Sequence, residues 1–505
     1  MPLQMKLWSR HFPGSRAPSP RSITLAFQPS IDFYMSIFLI LRRVYGPNTT
    51  EIPRMIQIHM YVAIDEGLGR NLYYYFVTSS NSPATDPLVL WMNGGPGCSS
   101  FDGFIYEHGP FSFEMNSTSG GLPILTVNPY SWTKVASIIY LESPAGVGFS
   151  YQNVTTDYST DDLKTAKDVH SFLLKWFEEY PEYQSNSFYV SGESYAGVYV
   201  PTVTQEIVAG IQNGTTPIIN LKGYLVGNGV TDEVFDGDAL VPFAHGMGLI
   251  SDQLFEELER DCNSSYWNAT NSACVAKIGE LNEDISALNI YNILEPCYHD
   301  VSIQDGIIKA HGLPESFGSL GETNRTLPTR RRMFGRAWPL MAPVRAGKIP
   351  SWSALGLLAV PCLDFSIANR WLNDPAVREA IHAQPVSVIG TWVVCADLSY
   401  DHNAGSMVPY HRGLLNGGYR ALIYSGDHDM CVPFTGSQAW TRSMGYEVVK
   451  DWHPWLTDGQ VAGYAIMYGR NLTFITIKGS GHTVPEYKPQ EALTFLEKWL
   501  SGDTL

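Results

Sequence analysis

Long basic runs and long apolar runs are both absent from this sequence of 505 residues. The formal net charge is −16 at pH 7, which argues against nucleic acid as a partner. No stretch approaches the roughly 20 apolar residues of a transmembrane helix, and the apolar run at 33–41 is too short to span a membrane. We therefore expect a soluble protein that binds neither nucleic acid nor a membrane.

Metal-binding signatures are missing as well. The sequence contains no H-E-x-x-H motif, and none of its seven cysteines form a pair at zinc-site spacing. We expect neither a metal nor a cofactor. Three disulfides would leave one cysteine unpaired, and the count alone does not separate an oxidised from a reduced protein.

Glycosylation sequons are abundant. The asparagines of N-x-S/T motifs are Asn48, Asn116, Asn153, Asn213, Asn263, Asn268, Asn324 and Asn471. Their number indicates passage through a glycosylating, oxidising compartment.

The N-terminus does not have the pattern of a signal peptide. Residues 1–30 are basic and proline-rich, Arg42 and Arg43 follow the apolar run, and no small-residue cleavage site is evident. We interpret residues 1–60 as a targeting region or a gene-model artefact that precedes the folded core.

Strand and helix patterns alternate in two parts of the chain, 61–231 and 362–505. Apolar runs predict strands, and longer amphipathic patterns predict helices. Strands are predicted at 71–77, 87–91, 135–141, 187–191, 221–226, 419–424 and 472–478, and helices at 161–180 and 491–500. This order predicts an α/β fold with a mostly parallel sheet.

The alternation stops between residues 232 and 361, where cysteines, tryptophans and short helical segments such as 251–260 appear. Ligands of an open α/β sheet bind at the carboxyl ends of its strands, so an insertion here is predicted to form a cap over that edge. Residues 330–332 are consecutive arginines, and the following stretch to residue 351 is rich in Gly and Pro. We expect that stretch to be exposed to proteases.

A serine lies where one predicted strand ends. Residues 192–197 read GESYAG, so the strand should turn sharply with Ser194 at its tip, an arrangement known as a nucleophile elbow. The motif departs from G-x-S-x-G in having Ala196, whose small side chain still lets the next helix pack closely. The alternative interpretation of this motif alone is a Gly/Ser loop.

A serine nucleophile needs an imidazole base and a carboxylate that orients the imidazole. In α/β-hydrolases these partners follow later strands in the order acid, then histidine. Asp427 and Asp429 both follow the strand at 419–424, and His482 lies on a glycine-flanked loop after the strand at 472–478. Spacing alone does not decide which of the two aspartates is the acid of the site.

A glycine-rich loop supplies the other half of such a site. Residues 91–100 read WMNGGPGCSS after a predicted strand, and glycines there let backbone N–H groups approach a substrate oxygen. We predict that the N–H groups of Gly95 and Tyr195 form an oxyanion hole. A plain Gly/Pro turn is the alternative interpretation of the loop alone.

Four segments, 93–100, 192–197, 424–433 and 479–485, together resemble the serine carboxypeptidases, and the resemblance extends from about residue 61 to the C-terminus. It implies an α/β-hydrolase fold and a serine-type carboxypeptidase that releases C-terminal residues of peptides and proteins at acid pH. It assigns Ser194, Asp429 and His482 as the catalytic triad, and so chooses Asp429 over Asp427.

The resemblance also implies that Asn93, Gly94, Glu107 and Glu193 bind the terminal carboxylate of the substrate. Two carboxyl groups held together resist double ionisation, so one should keep its proton in acid and donate a hydrogen bond to that carboxylate. Binding should therefore be favoured below neutral pH.

Further features of the family carry over as expectations. The implied disulfides are Cys98–Cys395, Cys262–Cys274 and Cys297–Cys362, which leaves Cys431 as a free thiol near the site. Relatives are processed into two disulfide-linked chains by excision within the cap, expected here near residues 325–351. The family also implies a homodimer in a secreted or vacuolar location, although the signal peptide and glycine-rich lead-in usual in the family are replaced here.

Two other functions share parts of this pattern. Related acyltransferases use the same triad with a glucose ester donor, but tend to have threonine in place of Asn93 and aspartate in place of Glu193. A secreted binding protein without catalysis would have no reason to keep Ser194, Asp429 and His482 together. Both alternatives are less compatible with the residues present.

Overall fold

A computed structural model of the chain describes residues 57–114, 122–153, 159–295, 363 and 365–505, all within the unit Glu51–Leu505. The strands of the described residues are β1 (Gln57–Asp65), β2 (Arg70–Val77), β3 (Leu88–Met92), β4 (Phe111–Glu114), β5 (Ile124–Val127), β6 (Ser137–Leu141), β7 (Tyr151–Gln152), β8 (Thr160–Asp161), β9 (Phe188–Glu193), β10 (Leu221–Gly227), β11 (Tyr400–Asp401), β12 (Arg420–Gly426), β13 (Val448–Thr457), β14 (Gln460–Tyr468) and β15 (Leu472–Ile477).

The α-helices of the same residues are α1 (Asp162–Glu179), α2 (Ala196–Gln212), α3 (Glu233–Asp238), α4 (Leu240–Gly246), α5 (Asp252–Cys262), α6 (Ser272–Ile285), α7 (Ser366–Leu372), α8 (Pro375–Ala380), α9 (Val386–Ile389), α10 (Val408–Asn416), α11 (Phe434–Ser443), α12 (Val484–Tyr487) and α13 (Pro489–Ser501). A short π-helical turn covers Gly103–Glu107. None of these helices is long and apolar enough to cross a membrane.

One large sheet organises the fold. Its strands follow the order β1-β2-β6-β3-β9-β10-β12-β15-β14-β13, and β7 pairs with β2. The six strands from β6 to β15 are parallel, while the outer pairs are antiparallel. Every residue of β3, β6, β9 and β15 is buried, as expected for parallel strands covered on both faces. The predicted α/β-hydrolase fold with a mostly parallel central sheet is confirmed.

Helix α1 shows how sequence pattern sets the packing. Val169, Phe172, Leu173 and Trp176 recur at helical spacing and are fully buried in the main core. The helix begins at an Asp161 cap and ends before Pro181, whose ring cannot continue it.

The predicted cap region contains α3 to α6 and a second hydrophobic cluster. Phe243, Leu254, Leu258 and Leu281 form much of this cluster, which also contains Met430 from the loop after β12. The cap helices therefore pack directly on the loop where the candidate acids lie.

The structure adds strands that the sequence reading omitted. The hairpin β13–β14 extends one side of the sheet, and β1 begins at Gln57, ahead of the predicted start of the core at residue 61. Strand β13 lies at the sheet edge and contains Pro454, and its first seven side chains are exposed or partly exposed with no regular alternation. Those features hide a strand from periodicity arguments.

Two of the predicted disulfides, Cys98–Cys395 and Cys262–Cys274, are present, and Cys431 is a free thiol. The sequon asparagines Asn153, Asn213, Asn263, Asn268 and Asn471 are exposed. Several predicted features lie outside the described residues: Cys297–Cys362, Asn48, Asn116, Asn324 and the linker at 325–351.

Candidate active site

Ser194 occupies a sharp turn between β9 and α2. Its φ of 62° lies in the left-handed region, which costs a non-glycine residue about 1 kcal/mol. The turn is held at both sides, because Ser194 N–H donates to Gly227 O (3.1 Å) and Ser194 O accepts from Gly197 N–H (2.9 Å). This is the geometry predicted for a nucleophile elbow.

The small residues around the serine are required by close packing. A Cβ at Gly192 would lie 2.3 Å from Met92 O and 2.6 Å from the Ala196 Cβ. The strand and the following helix therefore meet with no room for a side chain at Gly192. The methyl group of Ala196 fits only because its partner is glycine.

The structure separates the two candidate acids. Asp429 is fully buried, and its Oδ2 accepts from His482 Nδ1 (2.8 Å) and from Asn228 Nδ2 (2.7 Å). Asp427 instead contacts Gly479 N–H (2.7 Å) and its neighbour His428. Of the two, Asp429 is therefore the acid paired with His482.

His482 is fixed by residues 289–294, a segment of the predicted cap region after α6 that we call the clasp. The backbone N–H of His482 donates to Tyr291 O (2.7 Å), and the centroids of the His482 and Tyr291 rings lie 5.2 Å apart. Met430 and Cys431 both donate their N–H groups to Ile290 O at 2.9 Å. The clasp thus holds the acid loop and the base loop against each other.

One contact of the predicted triad is not formed in the described residues. His482 Nδ1 faces a carboxylate and so carries a proton, which leaves Nε2 to accept one; Nε2 is buried and has no hydrogen-bond partner. Hydrogen bonds nevertheless connect Ser194 to the acid through two consecutive residues. The backbone N–H of Ser194 donates to Gly227 O, and the side chain of the adjacent Asn228 donates to Asp429. Catalytic hydrogen bonds are often long before substrate binds.

The glycine-rich loop lies against the elbow. A Cβ at Gly94 would lie 2.3 Å from Tyr195 N and 2.8 Å from the Ser194 Cβ. The backbone of this loop therefore passes directly beside the peptide that follows the serine. The disulfide Cys98–Cys395 ties the end of the loop to the second half of the core.

A buried amide connects two buried glutamates. Asn93 Nδ2 donates to Glu107 Oε1 (3.2 Å) and to Glu193 Oε1 (3.1 Å). Asn93 Oδ1 accepts from Trp91 Nε1 (2.7 Å) and Gly103 N–H (3.1 Å), which fixes the orientation of the amide. The structure therefore brings Asn93, Glu107 and Glu193 together, immediately before the serine.

Burial favours the protonated form of these glutamates. Desolvation raises the pKa of Glu107 to about 8, with a further contribution from the Asp102 charge. Desolvation and the nearby charge of Glu107 raise the pKa of Glu193 well above its usual range. The pair can therefore hold a proton at neutral pH and offer an O–H donor.

The described residues contain one cluster of three or more His, Cys, Asp or Glu side chains that could hold a metal ion. Both glutamates belong to it. Oxygens of Asp102, Glu107 and Glu193 all lie within 4.8 Å of one another. A cation would need these groups ionised, and the raised pKa values of the two glutamates favour protons instead.

A second buried carboxyl, Glu142, predicts how stability depends on pH. Glu142 accepts from Ser99 Oγ (2.5 Å), and desolvation raises its pKa to about 8. A folded-state pKa above the unfolded one means that the folded chain binds more protons, so stability falls as pH rises from about 4.5 to 8. The buried imidazoles of His108 and His411 have lowered pKa values and oppose this trend only below about pH 6.5.

We therefore expect the free energy of unfolding to decrease between pH 6.5 and 8. Denaturant unfolding of the wild type and of Glu142→Gln would measure the slope. The glutamine keeps the side-chain volume and cannot ionise, so it should reduce the slope by about 1.4 kcal/mol per pH unit. Identical slopes for the two proteins would contradict the assignment.

The sequence did not predict three residues of the site. Asn228 binds the acid, Asp102 adjoins the glutamate pair, and Tyr291 supports the base. Asn228 follows β10, which lies between the nucleophile strand and the acid strand, so its position at the carboxyl edge of the sheet was a usable signal. Nothing in the local sequence marks Tyr291.

Comparison with known proteins shows what the chain is similar to. A sequence profile of the serine carboxypeptidase family matches residues 47–502. Serine carboxypeptidase 1 of Hordeum vulgare is 60% identical over 446 residues, 88% of this chain and 89% of that protein. Serine carboxypeptidase-like 20 of Arabidopsis thaliana is 58% identical over 447 residues, 88% of this chain and 90% of that protein.

A solved structure shares the fold. Kex1(delta)p, a prohormone-processing carboxypeptidase from Saccharomyces cerevisiae, superposes with a TM-score of 0.64 at 23% identity and covers 91% of this chain and 93% of its own. Profile, close relatives and fold agree over almost the whole of the described core, and the chain belongs to the serine carboxypeptidase family.

Proposed function

We propose that the protein removes C-terminal residues from peptides and proteins in acid through an acyl-enzyme. One observation carries this proposal: Glu193, part of the buried proton-holding pair, directly precedes Ser194 in the chain. A group suited to grip a free carboxylate therefore adjoins the nucleophile. That arrangement favours cleavage of the last peptide bond.

The proposed mechanism uses three side chains and two backbone donors. Ser194 Oγ attacks the carbonyl carbon while His482 Nε2 takes its proton, and Asp429 keeps the ring oriented and stabilises the imidazolium. The N–H groups of Gly95 and Tyr195 stabilise the oxyanion. His482 then protonates the leaving amine, and water hydrolyses the acyl-enzyme by the same route in reverse.

Recognition of the chain end should depend on the proton of the glutamate pair. Below about pH 8 the protonated pair donates a hydrogen bond to the substrate carboxylate; above it, the ionised Glu107 repels that carboxylate. We expect KM to be lowest in acid and to rise as pH increases through the region around 8. In Glu107→Gln/Glu193→Gln the pH dependence of KM should be nearly flat.

The measurement is KM for a blocked dipeptide between pH 5 and 9. Glu142→Gln is the matched control, because it removes a different buried carboxyl group whose pKa is also about 8. Among the described residues, Glu142 accepts from Ser99 and forms no hydrogen bond with Glu107 or Glu193. The control should keep the wild-type profile. If the double variant keeps its preference for acid, the pair does not act as the carboxylate receptor.

An acyltransferase is the second candidate, because it would use the same triad. Asn93 and Glu193, the residues that acyltransferase relatives tend to replace, favour the peptidase. Assays of one enzyme preparation with a blocked dipeptide and with an acyl-glucose would separate the two activities. Faster turnover of the acyl-glucose in the presence of an alcohol would replace our proposal.

A binding protein without catalysis is a third candidate. The buried pairing of Asp429 with His482 beside the elbow supports an active enzyme instead. Labelling of Ser194 by a fluorophosphonate is expected, and a protein that resists labelling would favour the binding role.

We further propose a secreted or vacuolar protein. The exposed sequons and the two disulfides support this location. Excision within 325–351 and assembly into a homodimer remain predictions, tested by reducing gel electrophoresis of the mature protein and by light scattering. A single reduced band would exclude excision.

A further inference from the structure

The side chain of Tyr195 is anchored far from the reacting atoms. Its ring is fully buried between Tyr199 and Tyr400, with centroid distances of 5.3 and 5.8 Å. Its hydroxyl donates to Asp162 Oδ1 (2.7 Å) and also contacts His402 Nδ1. Burial raises the pKa of the Tyr195 hydroxyl, which therefore keeps its proton and remains a donor.

Asp162 is built to receive that hydroxyl. It is the first residue of α1, where backbone N–H groups favour a negative charge, and it is only 2% exposed. Its Oδ1 also accepts from Tyr400 OH (2.9 Å), and its Oδ2 accepts from Ala404 N–H (2.9 Å). Three donors thus fix the carboxylate, and the carboxylate fixes Tyr195.

This anchor acts on the peptide that carries the proposed oxyanion donor. The peptide between Ser194 and Tyr195 follows the strained φ of Ser194 and lies against Gly94. If the backbone at Tyr195 shifted, the Tyr195 ring would have to move between its two neighbouring rings and strain its bond to Asp162. The position of Tyr195 N–H is therefore coupled to Asp162.

We propose that Asp162 is a positioning residue of the oxyanion hole, acting through the hydroxyl of Tyr195. The inference rests on the proposed function, because it needs an oxyanion that forms during attack by Ser194. The anchored donor should act mainly in the transition state, so kcat should depend on the anchor while KM should not.

The test compares three variants that alter the contacts of Asp162. Tyr195→Phe removes the hydroxyl that joins the elbow to Asp162. Tyr400→Phe is the matched control, because it removes a hydroxyl from the same oxygen, keeps the aromatic ring and leaves the bonds from Tyr195 and Ala404 to hold the carboxylate. Asp162→Asn keeps the volume of the side chain, removes its negative charge and replaces one acceptor oxygen with an NH₂ group that cannot accept.

Loss of a whole oxyanion donor lowers kcat by about 10²–10³-fold, so a loosened donor should lower it by about tenfold. We expect that decrease for Tyr195→Phe and Asp162→Asn, with KM within twofold, and near-normal kcat for Tyr400→Phe. Titration with a fluorophosphonate would count the folded sites, and its labelling rate should fall in parallel with kcat.

Two results would overturn the inference. One is an unchanged kcat and labelling rate in Tyr195→Phe; the other is an equal decrease in all three variants that follows their melting temperatures. Ser194→Ala distinguishes this failure from failure of the proposed function. If Ser194→Ala is inactive while Tyr195→Phe is fully active, only the anchoring role is wrong.

Discussion

Replacing Ser194 with alanine is expected to lower kcat for peptide hydrolysis by about 10⁵-fold or more, since loss of a serine nucleophile removes the whole acyl-enzyme route. The position itself should tolerate the change, because alanine removes only the hydroxyl oxygen. Binding should persist, since Asn93, Glu107 and Glu193 are untouched. Steady-state hydrolysis and competitive binding of a peptide product would measure the two effects separately.

Ser191→Ala is the matched control for this experiment. Ser191 lies on the same strand, β9, is fully buried, and its Oγ has no hydrogen-bond partner among the described residues. The control should therefore keep kcat near the wild-type value and still react with a fluorophosphonate. Full hydrolytic activity in Ser194→Ala would rule out the proposed mechanism.

Asp429→Asn is expected to lower kcat by roughly 10³–10⁴-fold. The amide cannot stabilise the imidazolium, and its NH₂ group would favour the wrong tautomer of His482. KM should change little, because Asp429 forms no hydrogen bond with Glu107 or Glu193 among the described residues. The measurement is kcat and KM on a blocked dipeptide, with the melting temperature as a check on folding.

Asp427→Asn provides the comparison within the same loop. Asp427 accepts from Gly479 N–H, and an asparagine oxygen can keep that bond. Its kcat should stay within a few fold of the wild type. If the two variants lose activity equally, the loop as a whole matters and Asp429 has no special role.

The nucleophile turn was predictable because its chemistry is local. A strand followed by glycine, serine and two further small residues leaves few conformations, and the structure has the expected turn at Ser194 with Gly192 packed against Met92. The shared edge of the candidate residues was also predictable, since parallel strands place their carboxyl ends at one edge of the sheet. The position of His482 followed from that rule.

The choice between Asp427 and Asp429 could not come from spacing. Both flank His428 in one loop. Asp429 is distinguished by its hydrogen bond from Asn228, a residue far away in the sequence that follows β10. Family resemblance supplied the choice, and the contacts agree with it. The hairpin β13–β14 was missed for a different reason: the first seven side chains of the edge strand β13 are exposed or partly exposed, so no buried face imposes an alternating pattern on them.

The clasp has a consequence for a nicked form of the enzyme. Ile290 and Tyr291 precede the segment where excision is predicted, so a cut there would leave them on the N-terminal fragment while His482 stays on the C-terminal one. The acid and the base would then be braced by backbone bonds that run between the two fragments. Maturation would turn an internal support into a subunit contact, and catalysis would require both pieces to stay associated.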